Sequence, residues 1–283
     1  MQLRTLGNRQ ISAIGLGGMP MSIEGRPDEA RSIATIHAAL DAGVTFIDTA
    51  NSYHLLAGEV GHNERLIAKA LKAYGNTENV IVATKGGHLR PGDGSWTQNG
   101  DPAYIKEAAK ASLKDLGVET IALYQFHRPD PRVPWADSVG AVRDLLDEGV
   151  IEMAGVSNAS VAQIDEANEI LGGRLVSVQN QFSPAHRSTL DTLNHCADLG
   201  IAFLPYSPLG GIGRAGGVGD RFPEFARIAA EHGVSPQRVV LAWQLALAPV
   251  VVPIPGASRP ESIIDSAAAA DLVLSDDELA ALS

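Results

Sequence analysis

Four side chains in the first half of the chain could jointly move a proton. Asp48 closes the apolar run that begins at Val44, and Tyr53 follows in the next loop. Lys85 closes the run Val80-Ile81-Val82-Ala83-Thr84, and His127 closes the run from Ile121 to Phe126. A carboxylate or an ammonium group where a buried strand stops is costly unless paired. Asp48 and Lys85 on neighbouring strands are natural partners. The pair would hold Lys85 charged, and that charge would favour the phenolate of Tyr53 and lower its pKa. Tyr53 would then serve as a general acid near neutral pH, with His127 hydrogen-bonding the same substrate oxygen. Taken singly, each residue has a plainer explanation: a turn aspartate, a surface tyrosine, a structural lysine, a histidine capping a strand. The four together at three consecutive strand ends are harder to dismiss.

The elements that must position them alternate along the whole chain. Residues 3–6 and 10–12 flank Gly7-Asn8 and predict a small hairpin. Strands are expected at 13–17, 44–48, 80–85, 120–127, 152–157, 175–181, 201–207 and 250–254. Helices are expected at 28–42, 63–74, 102–116, 134–148, 161–171, 189–199, 222–231, 236–247 and 262–269, with a short final helix after the capping box Ser275-Asp276-Asp277-Glu278. Asp101-Pro102 and Ser235-Pro236 each pair an N-cap with proline at the first helical position. The strands are short, β-branched and apolar, as parallel strands covered on both faces must be. Eight strands, each followed by helix, predict one (β/α)8 TIM barrel over residues 1–283 with an N-terminal β-hairpin; a doubly wound open sheet is the competing fold. In a barrel the site forms at the carboxyl ends of the strands, where Asp48, Lys85 and His127 stand.

Bulk properties narrow the function. The 33 acidic and 22 basic residues leave a net charge of −11, which argues against binding nucleic acid by overall charge. A local basic pocket for a phosphorylated ligand remains compatible with that charge. Cys196 is the only cysteine, so no internal disulfide can form, and a buried small hydrophobe is the expected role. No signal-peptide core or membrane-length apolar run occurs, and the expected location is cytoplasmic.

Asp48, Tyr53, Lys85 and His127 resemble the catalytic tetrad of the aldo-keto reductases. The resemblance runs the length of the chain, through Gly15-Leu16-Gly17, Ile47-Asp48-Thr49-Ala50, Ala83-Thr84-Lys85, Gly155-Val156-Ser157-Asn158, Val178-Gln179-Asn180, Tyr206-Ser207-Pro208-Leu209-Gly210 and Ile254-Pro255-Gly256. It implies an NADPH-dependent oxidoreductase in which a hydride passes to the carbonyl carbon of an aldehyde or ketone while Tyr53 protonates the oxygen. NADH use stays open. By the same resemblance, Ser157, Asn158 and Gln179 match positions that bind the carboxamide, and Tyr206 matches the ring stacked on the nicotinamide. Ser207, Leu209 and Gly210 match the segment along the pyrophosphate. Gly256, Ser258, Arg259, Ser262, Asp265 and Ser266 match the adenosine end, where Arg259 is a cation that could meet a 2′-phosphate.

The chain also departs from that pattern. Residues 54–62 intervene between Tyr53 and Asn63-Glu64, where the family has a short link to a Ser-Glu pair. Asp265 and Ser266 replace the family's common Glu-Asn pair. The long segments 54–62 and 86–100 are therefore expected to set substrate preference. Trp96, in the second of these, is expected either to line the pocket or to pack on a neighbouring loop. Gly211-Ile212-Gly213-Arg214-Ala215-Gly216 matches the dinucleotide fingerprint but lies too far from its strand for a Rossmann turn; it reads as a loop that folds over a cofactor. His54, His62, His88 and His127 lack metal-site spacing, so no metal is expected.

Two other functions compete with the reductase. One makes Lys85 the Schiff-base nucleophile of an aldolase-type lyase. The other is a catalytically weak nicotinamide-binding regulatory subunit. The partner expected on the first reading is a small-molecule carbonyl compound, with neither nucleic acid nor membrane involved.

Overall fold

The computed structural model describes residues 1–283. A hairpin opens the chain, β1 (Leu3–Leu6) pairing antiparallel with β2 (Arg9–Ser12). Then come β3 (Leu16–Gly17), α1 (Glu29–Asp41), β4 (Phe46–Asp48), α2 (His62–Tyr74) and β5 (Ile81–Gly86). A small ribbon, β6 (His88–Leu89) with β7 (Thr97–Gln98), follows β5 directly. The alternation resumes with α3 (Pro102–Leu116), β8 (Ile121–Phe126), α4 (Trp135–Asp147), β9 (Ile151–Ser157), α5 (Val161–Ile170), β10 (Leu175–Gln179), α6 (Leu190–Leu199) and β11 (Ala202–Phe203). The chain ends with α7 (Val218–Arg221), α8 (Pro223–His232), α9 (Pro236–Leu247), α10 (Pro260–Ala267) and α11 (Asp276–Ala281).

Seven strands form one parallel sheet in the order β3-β4-β5-β8-β9-β10-β11. Consecutive strands are neighbours, as right-handed crossovers by helices require. The eighth strand, expected at 250–254, is not a regular strand, and the first shrinks from 13–17 to Leu16–Gly17. The reason lies in two prolines. Val252 and Ile254 donate to the carbonyls of Phe203 and Pro205, so the side toward β11 is intact. Toward β3, Pro253 and Pro255 can only accept, and they do so from Gly15 and Gly17, each at 2.9 Å. Those bonds close the curled sheet into a (β/α)8 barrel. The closure also needs glycine: a Cβ on Gly17 would stand 2.8 Å from the Ile254 carbonyl oxygen.

The barrel interior and its floor are one apolar cluster. Leu6 and Ile11 of the hairpin are fully buried with Phe46, Leu123, Met153 and Val252, so the hairpin plugs the amino-terminal end. A larger cluster fills the layer between strands and helices, and Cys196 is buried in it, its thiol pushed up to about 12 by burial. The helices start where their caps stand: Asp28, Asp101, Ser160, Ser235 and Ser275 each accept a backbone N–H of the first turn. With one end plugged, the open end is the carboxyl end of the strands. No helix is long and apolar enough to cross a membrane.

Candidate active site

At that open end lies a cleft of about 880 Å³, lined by residues from nearly every strand end. Asp48 is the last residue of β4, Lys85 the penultimate residue of β5, and His127 follows β8 directly. The three stand side by side because β4, β5 and β8 are consecutive neighbours. Lys85 is fully buried and all three of its ammonium hydrogens are matched. Its Nζ donates to Asp48 Oδ2 at 2.7 Å, to the Thr49 carbonyl at 2.8 Å and to the Tyr53 hydroxyl oxygen at 3.2 Å. Because the Tyr53 oxygen accepts from Lys85, its own hydrogen is free for a ligand. The Thr49 carbonyl is itself fixed: Thr49 Oγ1 donates to Asn63 Oδ1 at 2.6 Å, and Asn63 Nδ2 donates to the Gly18 carbonyl and to Ser22.

The electrostatics follow from burial. Burial alone would depress the Lys85 ammonium, but the Asp48 charge, with Tyr53, more than offsets it and the pKa is raised. Tyr53 does not follow the expectation of a lowered pKa. Burial raises it, and the opposing pull of Lys85 is smaller and partly cancelled by Asp48. Tyr53 is therefore a phenol at neutral pH. His127 is held far below the ordinary histidine range by burial and then by Lys85, so it is neutral. Its Nδ1 is buried with no partner. Placing the single ring proton on Nε2 leaves Nδ1 an unfilled acceptor, which is cheaper than an orphaned N–H. The His127 ring meets the Tyr53 ring edge-on, centroids 5.8 Å apart.

A second group gathers beside these four. Asn158 donates from Nδ2 to the His127 carbonyl at 3.0 Å and to Ser157 Oγ at 2.9 Å. Its Oδ1 accepts from the Tyr206 hydroxyl at 2.8 Å and from Arg128 Nη2 at 3.1 Å. Asn158 and Ser207 are the chain's two non-glycine residues with left-handed backbones, at φ 58° and 52°. Such strain concentrates at functional positions. Gln179 donates to Asp48 Oδ1 at 2.7 Å, a bond that the sequence reading did not anticipate.

The remaining sequence-derived positions divide. Ser157, Asn158, Gln179, Tyr206, Ser207, Leu209, Gly256, Ser258 and Ser262 line the cleft. Gly210, Arg259, Asp265 and Ser266 do not. Asp265 has other partners: it accepts from Arg238 at 2.7 Å and from Ser235 at 2.5 Å, which ties α10 to α9. Ser266 is buried, and Arg259 Nε donates to Ser262 Oγ at 2.8 Å at the cleft's edge.

The long loops behave differently from one another. Residues 54–62 contribute nothing to the cleft, contrary to the expectation that they shape it. Glu59 draws this loop away: it pairs with Arg26 at 2.9 Å and accepts the backbone N–H of Leu55 and Leu56, and its carboxyl falls to about 2. The 86–100 segment does line the cleft, through His88, Trp96 and Gln98. His88 stacks on Trp96 (4.8 Å) and meets His127 edge-on (4.9 Å). Trp96 both lines the cleft and packs on a neighbour, since the Arg90 guanidinium lies over its ring at 4.8 Å. Arg90 in turn holds the His54 carbonyl and Glu24. No three of the chain's His, Cys, Asp and Glu side chains converge closely enough to hold a metal ion.

A dinucleotide fits this cleft. The volume lies in the range of ligand clefts. Beyond Ser207, the backbone N–H groups of Leu209, Gly211, Ile212 and Gly213 donate to no protein acceptor, and all four residues line the cleft. The run of free N–H groups from Gly211 to Gly213, with glycines of positive φ at both ends, suits an anion. The half-buried Tyr206 ring and the Ser157–Asn158 pair stand at one end, with Ser258 and Ser262 at the other.

Comparison with known proteins agrees. The model of the Aldo/keto reductase family matches residues 13–283. An uncharacterised oxidoreductase of Schizosaccharomyces pombe is 33% identical, over 98% of this chain and 87% of its own length. An aldo-keto reductase of Strobilurus tenacellus is 30% identical, over 99% and 90%. Among solved structures, an aldo/keto reductase from Klebsiella pneumoniae in complex with NADP and acetate superposes with a TM-score of 0.82 at 27% identity, covering 99% of this chain and 93% of that one. A glycerol dehydrogenase from Gluconobacter oxydans gives 0.84 at 26%, covering 99% and 93%.

Proposed function

Since the chain belongs to the aldo/keto reductase family, we propose that it is an NADP(H)-dependent oxidoreductase that reduces a small aldehyde or ketone to the alcohol, with Tyr53 as proton donor. One observation carries this reading: Lys85 spends all three ammonium hydrogens on Asp48, Thr49 and Tyr53, and so leaves the Tyr53 hydroxyl hydrogen available to a substrate oxygen. Nicotinamide binding is supported by the free N–H groups along the cleft and by the NADP complex of the Klebsiella relative.

When bound, the reduced nicotinamide supplies the hydride to the carbonyl carbon. The residues do the rest. Ser157 and Asn158 would meet the carboxamide edge, Asn158 exchanging a contact to Arg128 or Tyr206 for it, and Tyr206 would offer its face to the ring. His127 donates from Nε2 to the carbonyl oxygen and polarises it. Tyr53 transfers its hydroxyl proton to that oxygen as negative charge develops there. The resulting phenolate stays beside the Lys85 ammonium, which stabilises it in a low-dielectric site. Asp48 does not touch the substrate; it keeps Lys85 charged. Arg259, at the adenosine end and without a carboxylate partner, is the cation for a 2′-phosphate, and this favours NADPH over NADH.

The same geometry weighs against a Schiff-base role, because a buried lysine with three hydrogen bonds and an adjacent carboxylate has no free amine lone pair. The test is NADPH oxidation across a panel of aldehydes and ketones, with Tyr53→Phe as control. The variant should bind NADPH as wild type does and lose roughly 10²–10⁴-fold in kcat. Full activity in Tyr53→Phe would remove the proton-donor assignment. Borohydride trapping of Lys85 with a carbonyl compound would revive the lyase.

A further inference from the structure

Three charged side chains line the cleft: Glu24, Asp48 and Arg128. Two of them are neutralised within the protein, Asp48 by Lys85 and Glu24 by Arg90. Arg128 has no carboxylate partner. Its Nη2 donates to Asn158 Oδ1 at 3.1 Å, the guanidinium also lies against the Tyr206 hydroxyl, and Nε is buried without any partner. Its charge helps to depress His88 and His127 and opposes the rise at Tyr206. His88 is driven down to about 4, so both histidines are neutral at pH 7 and contribute no competing charge. The cleft thus holds one uncompensated guanidinium beside His127. The same cleft is lined by stacked rings, His88 on Trp96, with the Arg90 guanidinium over the Trp96 ring.

We propose that Arg128 is a specificity-determining residue that selects carbonyl substrates bearing an anionic group, a carboxylate or phosphate, attached to a planar unsaturated or aromatic body that lies against His88 and Trp96. The proposal rests on the reductase reading of the same site. The chemistry is simple. An unpaired, partly desolvated guanidinium gains most from an anion that can take two of its N–H groups at once. A neutral substrate leaves that desolvation uncompensated. The rim of the His88–Trp96 stack presents ring edges to the cleft, which a flat unsaturated body can meet edge-to-face. The carbonyl end then lies between Tyr53 and His127, and the anionic end lies at Arg128.

The probes are 3- and 4-carboxybenzaldehyde, each compared with its methyl ester, which has the same ring and aldehyde but no charge. The quantity read is the ratio of kcat/KM for acid to that for ester. A general loss through the Arg128–Asn158 contact cancels in this ratio. Wild type should favour at least one acid by about tenfold or more. Arg128→Gln should bring the ratio close to one, and Arg128→Lys should keep part of the preference. An acid that is no better than its ester, or a preference surviving in Arg128→Gln, overturns the proposal. A readout without turnover separates this from the reductase reading: calorimetric binding of benzoate against benzamide to NADP+-loaded wild type and Arg128→Gln, since Tyr53, His127 and the cationic nicotinamide would favour a carboxylate by themselves. A benzoate preference that Arg128→Gln loses, without reduction of any aldehyde, would sink the reductase and leave the anion site. Equal binding of the two in wild type, or a preference that Arg128→Gln keeps in full, would sink the anion site and leave the reductase.

Discussion

Gln179 Nε2 donates to Asp48 Oδ1 at 2.7 Å, from the end of β10 to the end of β4 across the mouth of the barrel. Lys85 takes the other oxygen at the same distance, so both ends of the Asp48 carboxylate are held. Gln179 is thereby a positioning residue as well as a wall of the cleft. Gln179→Met keeps the volume and removes the donor. It should lower kcat by about tenfold, the worth of one hydrogen bond to a charged group, with a smaller change in NADPH affinity. Steady-state kinetics with a fluorescence titration of NADPH would check this split.

The Asp48–Lys85 pair predicts a non-additive cycle. Lys85→Met strands a buried carboxylate and should cost about 3–5 kcal/mol of stability, besides most of the activity. Adding Asp48→Asn to that variant removes the stranded charge. Stability measured by urea unfolding should then recover by more than half, while NADPH oxidation stays lost. Recovery of neither would mean that the pair is not electrostatically coupled.

Behind Lys85 sits a second buried acid. Glu64 is fully inaccessible, accepts from Thr84 at 2.5 Å, and its carboxyl is raised by burial to about 7. A raised carboxyl binds its proton more tightly folded than unfolded, so its contribution is complete below about pH 4.5 and is lost as pH rises through about 7. Over that window it should remove on the order of 3 kcal/mol from wild-type stability. Glu64→Gln cannot ionise and should flatten the slope, leaving the variant more stable than wild type at pH 8. Unfolding midpoints taken at intervals from pH 5 to 8 would reveal the crossover.

At the far end of the cleft, two charged residues close in sequence should part company. Arg259→Gln should raise the Kd for NADPH by about tenfold and leave that for NADH unchanged. Asp265→Ala breaks the contact to Arg238 and Ser235, and should cost about 1 kcal/mol of stability without touching cofactor preference. An Asp265 variant that altered NADPH affinity would place this carboxylate in the cofactor's reach after all.

Much of this was legible in the sequence because polar residues interrupt apolar runs at strand ends. Asp48, Lys85 and His127 announce themselves as charges or rings where β4, β5 and β8 stop, and neighbouring strands in a barrel put them together. What stayed hidden depends on who stands opposite whom. Nothing in His127-Arg128-Pro129 says that Arg128 lacks a counter-ion, and nothing in Ile264-Asp265-Ser266 says that Arg238 is waiting for Asp265. The direction of the Tyr53 shift was missed because the sequence supplies the neighbouring lysine but not the depth of burial, which outweighs it. Nothing in residues 54–62 says that Arg26, far upstream, holds Glu59. Pro253 and Pro255 were visible throughout; their cost to the last strand became plain only when the direction of their missing N–H groups was known.

Those two prolines leave the barrel with a seam. Around the rest of the circle β3 to β11 pair as strands, but residues 250–256 join them only through isolated bridges, Phe203 to Val251 on one side and Gly17 to Gly256 on the other. Ser258 and Ser262 lie just past it on one side, and Met19 and Pro20 on the other. A long ligand seated from Asn158 to Ser262 therefore bears on both lips of the joint, as a clasp does on a hoop. Mechanical tightening of the whole barrel is then a by-product of filling the cleft. It should register as slower amide exchange at Gly15, whose N–H crosses the seam to Pro253 and which does not line the cleft.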